Sequence, residues 1–518
     1  MPRRFALLAV LLIPAVGWSA DPLHVRLDAV IDAAAKSNGV PLSVPADDAE
    51  FLRRAWLDFA GRIPTNAEAR AFLNDSAADM RTKLIDSLLA KPEYATHLAH
   101  RFHLMLMERL GDHPEWTKYL ETSFKANTPW DTMVRDVLKA EQGHGATFWM
   151  AKRLENYGQQ PVDYSALTRD VGRLFLGKNF QCCECHDHLT VNEYKQAHFQ
   201  GLHAFFRNTS LIDLKALRVG EKPTTAKASF ASVFEMKEMT TGPALPGGVM
   251  VEIPTFPKGQ EFATPPDRKT NNPGVPKFST LATVADKLPT ADNKDFARNI
   301  ANRLWFLLLG RGLVHPLDFH HAGNQPSHTE ALELLADELV KAKFDMKFVL
   351  REIALTRAYQ RSSLLPKGAE KPAEAKHFAT AIEKRLSGET VLAMVTTATG
   401  VTPTDALKAK FLKAYANQPR EPEEEVLPSL RAALFLRNDE TLLALLKPGQ
   451  GALVTRLADL PPDKLTEELY LSVLTRLPNA DETATVGKVL AKHQSDKPAA
   501  VGKLAWALLA SSEFGVNH

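Results

Sequence analysis

Arg62-Ile63-Pro64-Thr65-Asn66-Ala67-Glu68, leading on to Leu84-Ile85-Asp86-Ser87-Leu88-Leu89-Ala90-Lys91-Pro92-Glu93-Tyr94, spells two consecutive helices. Thr65 followed by Glu68 is a capping box, in which the hydroxyl and the carboxylate each satisfy a backbone N–H of the opening turn. Ser76 with Asp79 has the same form ahead of Leu84, Ile85, Leu88 and Leu89. Proline at 92 cannot continue the hydrogen-bond ladder, so the second helix stops at Lys91. The pattern returns near the far end as Arg476-Leu477-Pro478 with Glu482, then Lys503-Leu504, Leu508-Leu509-Ala510 and Glu513-Phe514. Asn479 takes the cap position there, keeping the chemistry while changing the residue. Two copies are too few for a solenoid, which needs roughly three stacked units. They predict a pseudo-symmetric pair of antiparallel helical hairpins, and with them a mainly α protein.

The rest of the chain agrees. Phe51, Ala55, Leu57 and Phe59 give Ala49 to Ala60 a helical apolar pattern that Gly61 and Pro64 close. Tyr164 to Phe175 reads as a helix with Gly177 at its C-terminal end. Between Leu211 and Asp292, proline, glycine, lysine and threonine crowd together, and only Ser229 to Met236 and Gly248 to Phe256 read as strand. Helical text resumes with Phe296, Ile300, Leu304, Leu307 and Leu308, ending at Gly310 and Gly312. Ser327 and Glu330 form a further capping box before Ala331 to Lys341, and Phe348 to Tyr359 is another amphipathic helix. Polar, proline-containing stretches interrupt at Leu365 to Ala375 and Asn417 to Pro428. The expected division is a signal segment at 1–20, a helical domain at 21–210, a linker with a small β element at 211–291, and a helical partner domain at 292–518.

At 518 residues, 45% hydrophobic and 24% charged, the chain supports several cores and is not a disordered one. Met1 to Ala20 has a basic start at Arg3-Arg4, an apolar run from Phe5 to Val16, and small residues Gly17, Ser19 and Ala20, the layout of a secretory signal. The run is about a dozen residues, short of the roughly 20 that cross a bilayer, so cleavage leaves no membrane span. The expected location is periplasmic or extracellular, with retention as an anchor the alternative. Without Arg3 and Arg4 the basic and acidic residues balance at 61 each. Nucleic-acid binding needs a basic footprint that this balance lacks.

All the cysteines lie in Cys182-Cys183-Glu184-Cys185-His186, which reads C-x-x-C-H. In that pattern two thiols bond a haem covalently and the histidine ligates its iron. Cys182, Cys185 and His186, the last as proximal ligand, are therefore the candidate haem c site. Candidates for the sixth position are His188, His198, His203, Met236 and Met239. Three other readings stand beside it. Cys182, Cys185, His186 and His188 have ligand chemistry for zinc or iron, though no second C-x-x-C completes a usual site. A redox C-x-x-C belongs at a helix start in a βαβ context absent here. In an oxidising compartment Cys182 and Cys185 can also form a plain disulfide. Cys183, between the two thioethers, has no role in any of these.

The sequence resembles a pairing of the planctomycete cytochrome-like domain, domain of unknown function 1549, with domain of unknown function 1553. The first resemblance rests on Phe51-Leu52-Arg53-Arg54-Ala55-Trp56-Leu57-Asp58-Phe59-Ala60-Gly61, on Leu88-Leu89-Ala90-Lys91-Pro92-Glu93-Tyr94, on Leu174-Phe175-Leu176-Gly177 with Gln181 to His188, and on Gly201-Leu202-His203-Ala204-Phe205-Phe206. The second rests on Phe296 to Trp305, Gly310-Arg311-Gly312-Leu313-Val314, Asn324 to His328, Ser362-Ser363, and Trp506 to Leu509 with Ser512-Glu513-Phe514. The sequence departs in having Leu189-Thr190 after Cys-His-Asp-His, where the family has proline and a bulky residue. The resemblance implies an exported protein tied to polysaccharide breakdown, with a sulfatase-like or saccharide partner and a redox partner of unspecified identity.

Asn302, Arg303, Asp318, His320, His321, Asn324 and His328 invite an acid–base site, histidine being the usual group near neutral pH. Against that, Arg303 with Asp318 makes a plausible buried ion pair. The leading expectation is an exported c-type cytochrome-like protein for electron transfer or haem-assisted oxidation. The alternatives are a haem-free, metal-dependent enzyme of glycan degradation and a binding scaffold with a Cys182–Cys185 disulfide.

Overall fold

Asp47 caps the Asp48–Ala60 helix by accepting the Glu50 N–H at 2.8 Å, and Gly61 ends it in the left-handed conformation at φ 67°. Only glycine fits at that corner, because an added Cβ would lie 2.2 Å from His97 Nδ1. The computed structural model describes residues 21–156, 159–267, 269–421, 430–449 and 452–517. Residues 1–20, where a signal segment is expected, and residues 422–428 of the second polar stretch lie outside them. The chain is mainly α, with three two-stranded antiparallel sheets among the described residues. None of its helices there is long and apolar enough to cross a membrane.

The expected repeat forms, and it starts one helix earlier than the matching text. One unit is Asp48–Ala60, Asn66–Leu73 and Met80–Ala90; the other is Pro462–Leu474, Ala480–Lys492 and Lys497–Leu509. In each, the first helix packs on both of the others. Both capping boxes close, at Thr65 with Glu68 and at Asn479 with Glu482. Arg62 Nη1 donates to the Ile63 carbonyl at 3.0 Å and to Glu68 at 2.8 Å, and Arg476 Nη1 repeats this to Leu477 at 3.2 Å and Glu482 at 2.9 Å. Each guanidinium lies over an aromatic ring of its first helix, Trp56 at 4.2 Å and Tyr470 at 5.3 Å. The units then face each other, with Arg70 reaching Glu467 at 2.6 Å and Arg53 donating to the Phe514 carbonyl at 2.9 Å.

Three local expectations are corrected. Ser76 does not cap: the Met80–Ala90 helix opens at Asp79 without a side-chain cap bond. Ser327 does not cap either, because the Thr329–Lys341 helix starts after His328, and the Ser327 hydroxyl lies 3.1 Å from His328 Nδ1 instead. Phe348 to Tyr359 is two helices, Met346–Leu355 and Arg357–Gln360, since Thr356 adopts extended backbone and its hydroxyl caps the second by accepting the Tyr359 N–H.

The middle of the chain holds β1 (Thr209–Asp213) with β2 (Arg218–Glu221), β3 (Ala228–Ala231) with β4 (Glu238–Thr241), and β5 (Phe262–Thr264) with β6 (Val275–Pro276). The strand expected from Ser229 survives only to Ala231 before the chain turns. Gly248 to Phe256 forms no strand; its Val251 N–H goes to the Pro243 carbonyl in an irregular segment. One apolar core joins side chains from before residue 220, such as Phe102, Trp149 and Phe175, to Phe296, Trp305 and Leu335. A second gathers residues 386–514 around Leu57 and Ile63.

Candidate functional site

The Tyr164–Leu176 helix opens on Asp163, which accepts the Ala166 N–H at 2.8 Å, and closes on Gly177 at φ 66°. A side chain at 177 would meet His320 Cδ2 at 2.7 Å. The chain then enters a single 3₁₀ turn, Cys182–Glu184, tied by the Cys183 N–H to the Phe180 carbonyl at 2.9 Å. The turn splits the thiols by direction. Cys182 and Cys185 are exposed and unbonded, while Cys183 is fully buried in the main core. Burial pushes the Cys183 thiol up to about 12, so it stays protonated and inert.

The two histidines of the loop hold opposite tautomers. His186 Nδ1 lies 2.6 Å from the Asp187 carbonyl. A carbonyl only accepts, so Nδ1 carries the proton and Nε2 the lone pair. His188 Nδ1 accepts N–H groups from Val191 at 3.1 Å and Thr190 at 3.3 Å, which puts its proton on Nε2. His186 therefore keeps its Nε2 lone pair, whereas His188 closes the turn. Asp187 is fixed in turn by the Gln196 N–H at 2.8 Å and Lys195 at 3.0 Å; burial works against its charge, and these partners nevertheless hold its carboxyl below the usual range. Glu184 is held through Arg169 at 2.6 Å and, at its carbonyl, Gln200 at 3.1 Å.

Of the remaining sixth-ligand candidates, His198 and His203 lie on the Gln196–His203 helix, both half-buried and both held below the ordinary histidine value by burial. His203 stacks on Phe199 at 5.9 Å between ring centroids. Met239 is half-buried on β4 opposite Phe230. Met236 is 79% exposed, in the turn between β3 and β4. That turn is fastened to the loop by the Val233 N–H to the Cys185 carbonyl at 3.1 Å, and its Phe234 ring lies 4.7 Å from the His186 ring.

Of the polar residues weighed for an acid–base site, Asn302 lies 3.4 Å from His320 Nε2 and Arg303 pairs with Asp318, and most of the others serve as fasteners. Segment 318–324 clamps the cysteine loop from behind. Asn179 N–H donates to the Asp318 carbonyl and His320 N–H to the Gly177 carbonyl, both at 3.0 Å. Tyr194 Oη donates to the His320 carbonyl at 3.1 Å and Ala322 N–H to Glu193 at 2.8 Å. Asn302 bonds both backbone groups of Val314, and Asn324 closes its own turn onto the Phe319 carbonyl at 2.9 Å. Arg303 pairs with Asp318 at 2.7 Å, as expected. His321 is edge-on to Tyr194, whereas His328 is elsewhere, packed against Phe378.

Family models match two regions in this order: a protein of unknown function (DUF1549), called PSCyt2, at residues 26–211, and a protein of unknown function (DUF1553), called PSD1, at residues 282–426. The chain is a DUF1549–DUF1553 protein. No match was found among curated proteins or among solved structures. The cysteine loop thus belongs to the DUF1549 region and the segment clamping it to the DUF1553 region.

Sequence inspection missed the residues that fasten these regions together. Asn299 Nδ2 donates to the Leu174 carbonyl at 2.7 Å and Arg303 Nη2 to the Arg173 carbonyl at 3.0 Å, so the Lys294–Leu309 helix of the DUF1553 region satisfies the last turn of the DUF1549 helix that leads to the cysteines. Arg173 itself bridges Glu108 at 2.7 Å, Asp170 at 3.4 Å and Asp318 at 3.1 Å. The available signal was Asn299 and Arg303, four residues apart and so on one face of a helix that also buries Phe296, Ile300, Leu304 and Leu307. A small cleft of about 80 Å³ opens at this seam, with Arg101, Glu108, Arg303, Arg385 and Ser387 in its wall. Among the described residues, no three His, Cys, Asp or Glu side chains gather as a metal site, so Cys182, Cys185, His186 and His188 do not converge as the zinc reading requires.

Proposed function

We propose that this DUF1549–DUF1553 chain is an exported protein carrying one covalent c-type haem, bonded through Cys182 and Cys185 and ligated by His186, for electron transfer or haem-assisted oxidation outside the cytoplasm. The observation that carries this is the His186 imidazole, whose Nδ1–H is held by the Asp187 carbonyl so that Nε2 keeps its lone pair, on the same loop as two exposed thiols, Cys182 and Cys185. A proximal histidine is oriented this way, by a carbonyl on its other ring nitrogen. The surroundings fit too: Leu189, Val233, Phe234 and Met236 leave large apolar side chains exposed on the loop or on the turn bonded to it. Such a patch is costly in water and suits a flat apolar macrocycle.

Cys182 and Cys185 would hold the haem by adding S–H across its two vinyl groups, sulfur to one carbon and hydrogen to the next, an addition that would need no oxidant. The bound haem supplies one-electron chemistry. The chain's own work is to hold the imidazole, keep Cys183 out of the reaction and fix the loop against segment 318–324. The export signal supports the reading, because thiols in an oxidising compartment pair unless something else claims them. The family resemblance ties the activity to polysaccharide breakdown.

Expression in an exporting host with haem-attachment machinery tests it. The proposal expects denaturation-resistant haem by peroxidase staining in the natural chain and none in Cys185→Ala. A colourless chain with a Cys182–Cys185 disulfide would overturn it in favour of a scaffold.

A further inference from the structure

We infer that the cleft between the DUF1549 and DUF1553 regions binds a small organic carboxylate, with guanidinium groups for its charge and apolar side chains for its body. The inference stands apart from the haem reading and uses none of the cysteine loop. Its first support is a pattern shared by the two helices that wall the cleft. Pro92–Met107 brings Arg101 with Leu104 and Met105 to it, and Lys294–Leu309 brings Arg303 with Phe306 and Leu307. In each helix the arginine stands three and four residues before an apolar pair, the spacing that puts all three side chains on one face. Arg385 and Ser387, just ahead of the Gly388–Thr399 helix, add to the polar lining. One wall thus comes from each family region, and small-molecule sites form preferentially at such interfaces.

The charge around the cleft favours an anion. Glu108, the carboxylate in its wall, is taken by Arg173 at 2.7 Å, and Asp318 beside it is taken by Arg173 at 3.1 Å and Arg303 at 2.7 Å. Arg385 donates to neutral acceptors, Asn417 Oδ1 at 3.1 Å and the Tyr415 carbonyl. The bases nearby are all harder to protonate than usual: burial is the main cause for His97, His320 and Lys384, and the charge of Arg101 or Arg303 adds to it in each. A guanidinium fork matches a carboxylate with two parallel hydrogen bonds, which the neutral amide of the same shape cannot accept. The 80 Å³ of the cleft holds about six water-sized groups, which sets the ligand at about six non-hydrogen atoms. Leu104, Met105 and Phe306 select a hydrocarbon tail over a polyol, whose hydroxyls would lose water there without gaining partners.

Titration calorimetry of the full mature chain with butyrate gives the test, with butyramide as the neutral isostere and inorganic sulfate as the bare anion, all at one ionic strength. The inference expects saturable binding of butyrate, and binding of butyramide and of sulfate weaker by about tenfold or more, the worth of one charged hydrogen-bonded contact. Arg101→Gln and Arg385→Gln should each weaken butyrate by about the same factor. Met105→Glu leaves every arginine in place and sets a repelling carboxylate in the apolar wall, so it should abolish binding. Circular dichroism and the unfolding midpoint of each variant show that it is folded, and the comparison of the three ligands on the natural chain decides the matter even where a variant does not fold. No butyrate binding, equal affinity for butyramide or sulfate, or unchanged affinity in folded Arg101→Gln and Met105→Glu would overturn the inference. None of these results depends on covalent haem, so the haem reading stands or falls by its own experiment.

Discussion

Three thiols in four residues have separate fates because one 3₁₀ turn aims two outward and one inward. Cys183 is a core side chain: fully buried, with its thiol raised to about 12 by the loss of water. The native protein, reduced and without haem, should therefore be alkylated by iodoacetamide at Cys182 and Cys185 and not at Cys183, as read by peptide mass spectrometry. Cys183→Ala should keep haem attachment and lose about 1 kcal/mol of stability to denaturant, since it removes a small buried group. Fast modification of Cys183 in the folded chain would show that the turn is not as described. The sequence held the C-x-x-C-H spacing plainly but not the direction of Cys183, which depends on the Phe180 carbonyl and the core beneath it.

At the scale of the helical unit, the two copies differ where they ought to agree. Gly61 and Thr475 both end a helix in the left-handed conformation, at φ 67° and 66°. The first copy needs glycine because His97 fills the corner; the second places there a threonine whose buried hydroxyl has no hydrogen-bond partner. Gly61→Ala should cost about 3 kcal/mol or more, from strain plus the clash. Thr475→Gly should gain about 1 kcal/mol, as relief of strain and of the unpaired hydroxyl outweighs the small cavity. Chemical denaturation of both variants reads the signs directly. The repeat was legible because capping boxes and proline stops are local chemistry, and Thr65, Glu68, Asn479 and Glu482 behave as written. Ser76 and Ser327 were misread because a serine three residues before a carboxylate is only permissive. Where the helix begins is decided by neighbours the local text does not contain.

For the whole molecule, the seam between the DUF1549 and DUF1553 regions positions the cysteine loop. Its polar contacts join residues more than a hundred positions apart, such as Asn299 with Leu174 and Asp318 with Arg173. No local pattern in the sequence announces them, so the polar residues of 302–328 looked catalytic when they are mostly fasteners. His320 sits in that seam, and burial lowers it to about 4 from an ordinary 6.5. Between those values the unfolded chain binds the proton and the folded one does not, so stability falls as the pH drops through that window. The loss from His320 alone is about 3 kcal/mol. His320→Asn should flatten the pH dependence of urea unfolding between pH 6.5 and 4; an unchanged slope would show that His320 does not titrate in the seam.

The most direct measurement is the mass of the denatured mature chain after expression with haem-attachment machinery, alongside fragmentation of the peptide containing Cys182 and Cys185. A covalent haem c at Cys182 and Cys185 requires the polypeptide mass plus one haem, with the added mass on both of those cysteines and none on Cys183. A chain at its bare polypeptide mass, or lighter by one disulfide, would contradict it.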